Sequence, residues 1–186
     1  MTTRRFAPLL LLAGLVAFAQ PALTAQDDWR LPGLFARLLQ PLALPEAQQI
    51  ESTIWQIWLR SENEDTNILM RAGVNAMNQG NFGAALKYFD QMVKDEPGFA
   101  EGWNKRATVH YLMGNFDSSV EDVERTLALE PRHFGALSGL GMINMELGNE
   151  RAALRAFEAA LKVHPHLPGA REQAEQLRKK LLGSPT

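Results

Sequence analysis

The chain has 186 residues, 19 basic and 21 acidic side chains, a formal net charge of −2 and no cysteine. The lack of cysteine excludes disulfides, thiol catalysis, cysteine-ligated metals and a lipid-modified cysteine. The near-neutral charge, without a concentrated basic face, argues against a nucleic-acid-binding protein.

Residues 1–25 have the features of a secretory signal peptide. Arg4 and Arg5 give a positive start, and the apolar stretch over residues 6–19 is shorter than the roughly 20 residues of a spanning helix. Cleavage after Ala19 fits the small-x-small rule more strictly, whereas cleavage after Ala25 leaves a better spacer and is the site we favour. We expect a periplasmic protein with no stable membrane span; a retained N-terminal anchor is the alternative.

Residues 26–65 predict an N-terminal helical pair interrupted by Pro41 and Pro45. Pro45 suits the first turn of the second helix, because its missing N–H would be unpaired there. We expect Trp55 and Trp58 to pack on the helices of the first repeat, so that the pair caps the stack as a diverged repeat. The alternative is an aromatic platform for a ligand.

Three repeats follow, over residues 66–99, 100–133 and 134–167. The markers are three prolines spaced 34 residues apart and three Gly-Asn pairs with the same spacing. They are Pro97, Pro131 and Pro165, and the pairs that begin at Gly80, Gly114 and Gly148. A period of 34 residues is the length of one helix-turn-helix solenoid unit.

Other positions recur in phase with these markers. They are Leu69, Trp103 and Leu137 at the fourth place, Gly73, Ala107 and Gly141 at the eighth, Ala85, Ser119 and Ala153 at the twentieth, and Phe89, Val123 and Phe157 at the twenty-fourth. Over residues 66–167 the chain therefore resembles the tetratricopeptide-repeat (TPR) family. The resemblance implies an all-α fold, a right-handed α-solenoid of three TPR helix pairs. Small residues at the eighth and twentieth places let the two helices of a unit approach, and the aromatic residue fills the space between them.

Residues 168–186 predict a C-terminal capping helix and tail. Its apolar stripe includes Ala170, Ala174 and Leu177, and its other side is polar, as the end of a solenoid requires for solubility. We interpret the basic run at residues 178–180 as a solvated helix end.

The sequence contains no recognisable catalytic motif, and we expect neither a cofactor nor a metal. His164 and His166 form the only close histidine pair, but Pro165 between them is the terminator of the repeat. We expect His110 to pack between helices, and the acidic pairs at residues 95–96 and 121–122 to lie on solvated faces.

The resemblance also suggests a binding surface, because in TPR proteins the first helix of each unit lines a concave face. The predicted partner-binding residues are Asn67, Met70, Arg71, Val74, Met77, Asn104, Lys105, Thr108, Tyr111, Ser138, Met142 and Met145. The family's carboxylate clamp needs Lys and Asn where Met70 and Val74 stand, which argues against an acidic chaperone tail as the partner. Gly135 and Gly139 are costly in a helix, and we expect them to let a ligand approach the backbone. The alternative is that the methionines fill the core and that these glycines have no role.

These features predict a non-catalytic adaptor that binds a protein or peptide segment of the bacterial periplasm or envelope in its concave groove. The alternatives are a self-associating structural scaffold and a metal-binding periplasmic protein. The adaptor hypothesis requires that neither the N-terminal segment nor the last helix fills the concave face.

Overall fold

The computed structural model describes residues 25–183, which form helices and no strands. Apart from Ala25, the predicted signal peptide lies outside these residues. A short 3-10 helix spans Ala25–Asp27, and no helix in the described range is long and apolar enough to cross a membrane. The α-helices of this range are α1 (Leu31–Leu38), α2 (Leu44–Trp58), α3 (Glu64–Asn78), α4 (Phe82–Asp95), α5 (Ala100–Leu112), α6 (Phe116–Leu129), α7 (Phe134–Glu146), α8 (Glu150–Val163) and α9 (Pro168–Leu182).

Helices α3 to α8 form three consecutive helical hairpins, in which each helix packs against the next. The turn inside each hairpin depends on glycine, because Gly80, Gly114 and Gly148 have φ angles of 72°, 76° and 72°. Residues with a Cβ rarely adopt this left-handed conformation. The asparagine after each glycine stands at the N-cap of the second helix, and Asn81 accepts a hydrogen bond there from the Ala84 N–H at 3.2 Å.

The two helices of a hairpin pack through a small residue that faces a large one. A Cβ added to Gly73 would lie 2.5 Å from the Phe89 ring, and one added to Gly141 would lie 2.6 Å from the Phe157 ring. These glycines are therefore required by the phenylalanines opposite them. In the second hairpin, Ala107 stands where the other two have glycine, and Val123 stands where they have phenylalanine. The small residue is therefore slightly larger there, and the residue opposite it is smaller.

Helix α9 packs on α8 and covers the C-terminal end of the stack. Ala170, Ala174 and Leu177 are buried, as the predicted apolar stripe requires. Arg178 remains on the solvated side and donates to Glu158 at 2.7 Å. The helix spans Pro168–Leu182, and residues 184–186 of the predicted tail lie outside the described residues.

The N-terminal pair, α1 and α2, does form, and Pro45 lies in the first turn of α2 as expected. Its packing differs from the prediction. The Trp58 ring stacks on His133 with centroids 4.2 Å apart and planes at 11°, and the Trp55 ring lies 5.3 Å from Phe134. The prediction that both tryptophans pack on the helices of the first repeat is therefore wrong. Their partners are the buried rings of His133 and Phe134, at the junction of the second and third hairpins.

Helix α2 and the residues that follow it contact the turns before α9, α7 and α5, in that order. This is the reverse of the order in which these turns occur in the chain. Glu51 approaches His164 at 3.3 Å in the turn before α9, and Trp58 reaches the turn before α7. Beyond the helix end, the Ser61 hydroxyl donates to both carboxylate oxygens of Glu96 in the turn before α5, at 2.9 and 2.7 Å. The N-terminal pair therefore lies across the three turns and is not stacked in series with the hairpins.

One predicted solvated acid is buried. Asp122 is 3% exposed and accepts hydrogen bonds from Nε and Nη2 of Arg106 at 2.8 and 2.7 Å, whereas its neighbour Glu121 is exposed. Arg106 also donates to Asp90 at 2.9 Å, so that one guanidinium joins α4, α5 and α6. The expectation that Asp122 is solvated is wrong because a paired guanidinium satisfies its charge inside the fold.

Candidate functional site

The first helices of the hairpins, α3, α5 and α7, contact one another in that order along the predicted concave face, and Trp55 of α2 covers this face at the start of α7. A Cβ added to Gly135 would lie 2.6 Å from the Trp55 ring, so the glycine makes room for this tryptophan. The Lys105 ammonium lies 5.6 Å from the centroid of the same ring. Gly135 was expected to admit a ligand to the backbone; the group that approaches it is a side chain of the chain itself.

A buried ionised network lies beneath this contact. His133 accepts the Ala136 N–H on Nδ1 at 3.0 Å, so Nε2 carries the proton and donates to Glu101 at 2.8 Å. Asn104 donates to the same carboxylate at 2.9 Å, and the Lys105 ammonium lies 2.9 Å from its other oxygen. Burial raises the pKa of Glu101, but Lys105 and the hydrogen bond from His133 outweigh it and hold that pKa below 4.5.

The predicted apolar lining of α3 belongs largely to the core. Met70 is only 5% exposed and packs among buried residues of the first hairpin, while Val74 and Met77 are half-buried against the same cluster. Met70 is therefore not available on the surface, which corrects its assignment to the partner-binding set. At this place in the fold methionine fills space between helices.

The predicted polar lining of α3 pairs with nearby groups. The Asn67 amide accepts from the Ser61 N–H at 3.0 Å and donates to the Ser61 carbonyl at 2.9 Å, which fixes the link between α2 and α3. Arg71 is exposed and donates to Glu64 at 2.9 Å. Of these two polar residues, only Arg71 is exposed to solvent.

The part of the concave face that remains open lies between α5 and α7. It contains a cavity of about 100 Å³ that opens to solvent. Its walls include Asn104, Thr108 and Tyr111 from α5 and Gly135, Gly139 and Met142 from α7; its floor includes Ala107, Ser119, Val123 and Ile143. The structure thus brings together four of the predicted partner-binding residues, Asn104, Thr108, Tyr111 and Met142, around one hollow.

The residues that line this hollow are apolar or neutral. Met142 and Met145 are 43% and 37% exposed, and Ser138 on the same helix is half-buried. The Tyr111 hydroxyl lies 3.4 Å from Glu146. Burial and the Glu146 charge raise the pKa of Tyr111, so its hydroxyl stays protonated and can donate a hydrogen bond.

The histidines are engaged in contacts within the protein. His164 faces Glu51, and Nε2 of His166 lies 2.9 Å from the Gln40 carbonyl oxygen. His110 is half-buried, and its Nε2 atom lies 4.0 Å from Asp122. Over residues 25–183, no three His, Asp or Glu side chains are grouped in a way that could hold a metal ion.

A larger cavity, about 580 Å³, lies where residues 25–30 meet the end of α2 and the start of α3. Many of its lining groups are charged, and Arg30 binds both carboxylate oxygens of Asp28 at 2.9 and 2.7 Å. It shares no lining residue with the hollow between α5 and α7.

Two residues that line or cover the groove, Val123 and Trp55, are not among the predicted partner-binding residues. Val123 forms part of the floor of the hollow. The sequence contains a signal for it, because both flanking repeats have the larger phenylalanine at that place. Trp55 closes one side of the groove by its contact at Gly135, which lies 80 residues further along the chain. No periodic marker links those two residues.

Comparison with known proteins gives consistent matches. The model of the tetratricopeptide repeat matches residues 70–117 and 104–168. The chain is 38% identical over 157 residues to a TPR repeat-containing protein of Rhizobium etli, covering 84% of this chain and 77% of that protein. It is 31% identical over 136 residues to tetratricopeptide repeat protein 36 of Bos taurus, covering 71% of each. The first TPR domain of Spaghetti (RPAP3), solved with the HSP90 peptide SRMEEVD, superposes with a TM-score of 0.62 at 18% identity, covering 66% of this chain and 97% of that one.

Proposed function

The chain belongs to the tetratricopeptide-repeat family, and on that premise we propose that it is a non-catalytic adaptor that binds a polypeptide segment. The observation that carries the proposal is the open hollow between α5 and α7, with neutral hydrogen-bonding groups on one wall and the exposed Met142 on the other; Met145, one turn further along α7, is also exposed. Such a surface suits a segment that buries apolar side chains and pairs its backbone with fixed polar groups. The Spaghetti domain, which has the same fold, holds a peptide.

The proposed partner segment differs from an acidic chaperone tail. The peptide bound by Spaghetti ends in Glu-Glu-Val-Asp, and the clamp that would hold such a tail has no counterpart at Met70 and Val74. Lys105, which follows the lining residue Asn104 on α5, is already paired with Glu101. An apolar segment with few charges therefore fits the groove better.

The proposal is tested with peptides from a random phage-displayed dodecapeptide library selected on the wild-type protein. We expect Met142→Glu/Met145→Glu to weaken binding at least about tenfold in fluorescence anisotropy, because two charges would replace exposed apolar side chains of the groove. Ile68→Glu is the matched control, since Ile68 is 50% exposed on α3 and belongs to none of the predicted lining places. Equal binding by the double variant and the wild type would contradict the proposal.

The self-associating scaffold makes a different prediction with the same samples. Sedimentation equilibrium of the wild type would then show a mass that rises with concentration, and the selected peptides would bind without regard to Met142 and Met145. A monomer that binds peptides through the groove favours the adaptor.

We also propose that the protein acts in the bacterial periplasm or envelope, on the basis of the signal-like residues 1–25. Fusing these residues to a β-lactamase that lacks its own signal should confer ampicillin resistance. Leu11→Arg/Leu12→Arg should abolish it by interrupting the apolar stretch. Resistance that survives the double substitution would contradict an export signal here.

A further inference from the structure

The hollow between α5 and α7 has a cause in the second repeat. In the first and third repeats the phenylalanine at the twenty-fourth place extends to the backbone of the opposing glycine, as at Phe89 and Gly73. In the second repeat Val123 lacks a ring, and the methyl group of Ala107 restores only a part of the missing volume. The cavity of about 100 Å³ is lined by both of these residues. The second repeat thus keeps open a space that a phenylalanine fills in its neighbours.

The mouth of the cavity is kept open by a glycine. A Cβ added to Gly139 would meet no atom within 4 Å. Gly135, one turn earlier on the same face of α7, also lines the cavity and is covered by Trp55. The cavity therefore begins where the contact between α2 and α7 ends, so that an occupant would extend an interface that already exists inside the protein.

The character of the lining residues determines which class of side chain the cavity can hold. None of its lining side chains carries a charge, and the floor is formed mainly by aliphatic groups. An apolar cavity of about 150 Å³ is known to hold benzene, so a space of this smaller size suits a branched or linear aliphatic group better than an aromatic ring. The amide of Asn104 and the hydroxyls of Thr108 and Tyr111 stand on one wall. The two hydroxyls already donate to the Asn104 carbonyl and to Glu146, so their oxygen atoms are left to accept a backbone N–H of a peptide.

We infer that this cavity is the anchor pocket of the groove, and that it takes one leucine, isoleucine or methionine side chain of the bound polypeptide. The inference rests on the proposed function and specifies which side chain the partner must offer. Because Trp55 closes the groove at the start of α7, the segment lies over the later turns of α5 and α7. The second repeat, and not the first, then determines specificity.

The test uses fluorescein-labelled dodecapeptide pools that are random except for one fixed central residue: Leu, Ile, Met, Ala or Trp. In fluorescence anisotropy, the wild type should bind the Leu, Ile and Met pools about 10- to 150-fold more tightly than the Ala pool, which corresponds to burial of one aliphatic side chain. The Trp pool should resemble the Ala pool, because the ring exceeds the space.

Two variants fill the pocket by independent routes. Ala107→Gly/Val123→Phe gives the second repeat the glycine and phenylalanine of its neighbours and fills the cavity from the core. Gly139→Leu fills it from the mouth, with Gly83→Leu as its control, because Gly83 is an exposed helical glycine whose added Cβ would also meet nothing within 4 Å. Both filled variants should lose the preference for aliphatic pools, whereas Gly83→Leu should keep it.

The outcomes separate this inference from the proposed function. Binding of all pools with equal strength, or an aliphatic preference that survives in a filled variant with wild-type helicity, would overturn the anchor pocket while leaving peptide binding intact. Binding of no pool by the wild type would overturn both.

Discussion

The repeats and the N-terminal pair both bury large aromatic side chains, but they differ in how far along the chain the contacted residue lies. In the first and third repeats the ring of Phe89 or Phe157 meets a glycine less than one unit earlier in the chain. In the N-terminal pair, Trp58 and Trp55 meet His133 and Gly135, two repeats away. The repeats are thus specified by local spacing, whereas the position of α1 and α2 depends on a few side chains that converge only in the folded chain. Substitutions in the two regions should therefore affect the stability of the protein in different ways.

The largest effect should come from removing an aromatic residue inside a repeat. Phe157→Ala deletes a ring that is 1% exposed and leaves a cavity against Gly141, so we expect a loss of about 3–5 kcal/mol in the free energy of unfolding. Urea unfolding followed by circular dichroism measures it. Tyr88→Ala, at a side chain that is 38% exposed, serves as the control and should cost about 1 kcal/mol or less. A loss below that level for Phe157→Ala would mean that the third hairpin does not depend on its ring.

A smaller and more localised effect should follow from Gly135→Ala. The new methyl group would lie 2.6 Å from the Trp55 ring, and relieving such overlap typically costs about 1–3 kcal/mol. Because the contact belongs to the N-terminal pair, we expect α1 and α2 to detach while the repeats keep their helicity. Tryptophan emission should shift to the red in native buffer, with little change in circular dichroism.

A second substitution shows whether the overlap is the cause. In a Trp55→Ala background the methyl group has room, so Gly135→Ala should be neutral or stabilising there. If Gly135→Ala destabilises the protein equally in both backgrounds, the tryptophan does not occupy this place.

The contrast between the two regions also explains how much of the structure could be predicted from sequence. The period of the prolines and Gly-Asn pairs predicts three hairpins, and the glycine turns and α9 follow from residues within one or two turns of each other. The position of Trp58 on His133 could not be predicted, because nothing in the local pattern distinguishes that ring from other apolar partners. Of the four methionines predicted to line the groove, Met142 and Met145 reach solvent. Met77, at the same place of its repeat as Met145, is half-buried, and Met70, at another place, is enclosed by the core of the first repeat.

The junction of the two regions should respond to acid. The folded pKa of Glu101 lies below its ordinary value of 4.5, because Lys105 and His133 stabilise the carboxylate. Its contribution to stability is therefore complete above about pH 4.5 and is lost as the pH falls through the folded pKa. As the pH falls through this range, we expect protonation of Glu101 to lower the free energy of unfolding by at most about 1.4 kcal/mol per pH unit.

Glu101→Gln isolates this contribution. The variant should be less stable than the wild type at neutral pH, since Lys105 and His133 lose their charged partner, but its stability should fall less steeply below about pH 4.5. Urea midpoints measured in steps from about pH 7 to pH 3 give both slopes. Parallel curves for the variant and the wild type would show that Glu101 has the same pKa in the folded and unfolded chains.

The smallest effect, and the only one expected to be favourable, is that of Gly139→Ala. Gly139 lies one turn from Gly135 on the same helix, but a Cβ there meets no atom within 4 Å. Replacing a glycine inside a helix by alanine without a clash should stabilise the protein by about 0.8–1 kcal/mol, whereas the same substitution one turn earlier destabilises it. Urea unfolding measures both changes in the free energy of unfolding. Opposite signs for Gly135→Ala and Gly139→Ala would distinguish the part of the groove that Trp55 occupies from the part that is open. If Gly139→Ala were destabilising, the hollow between α5 and α7 would be filled in solution and could not receive a partner.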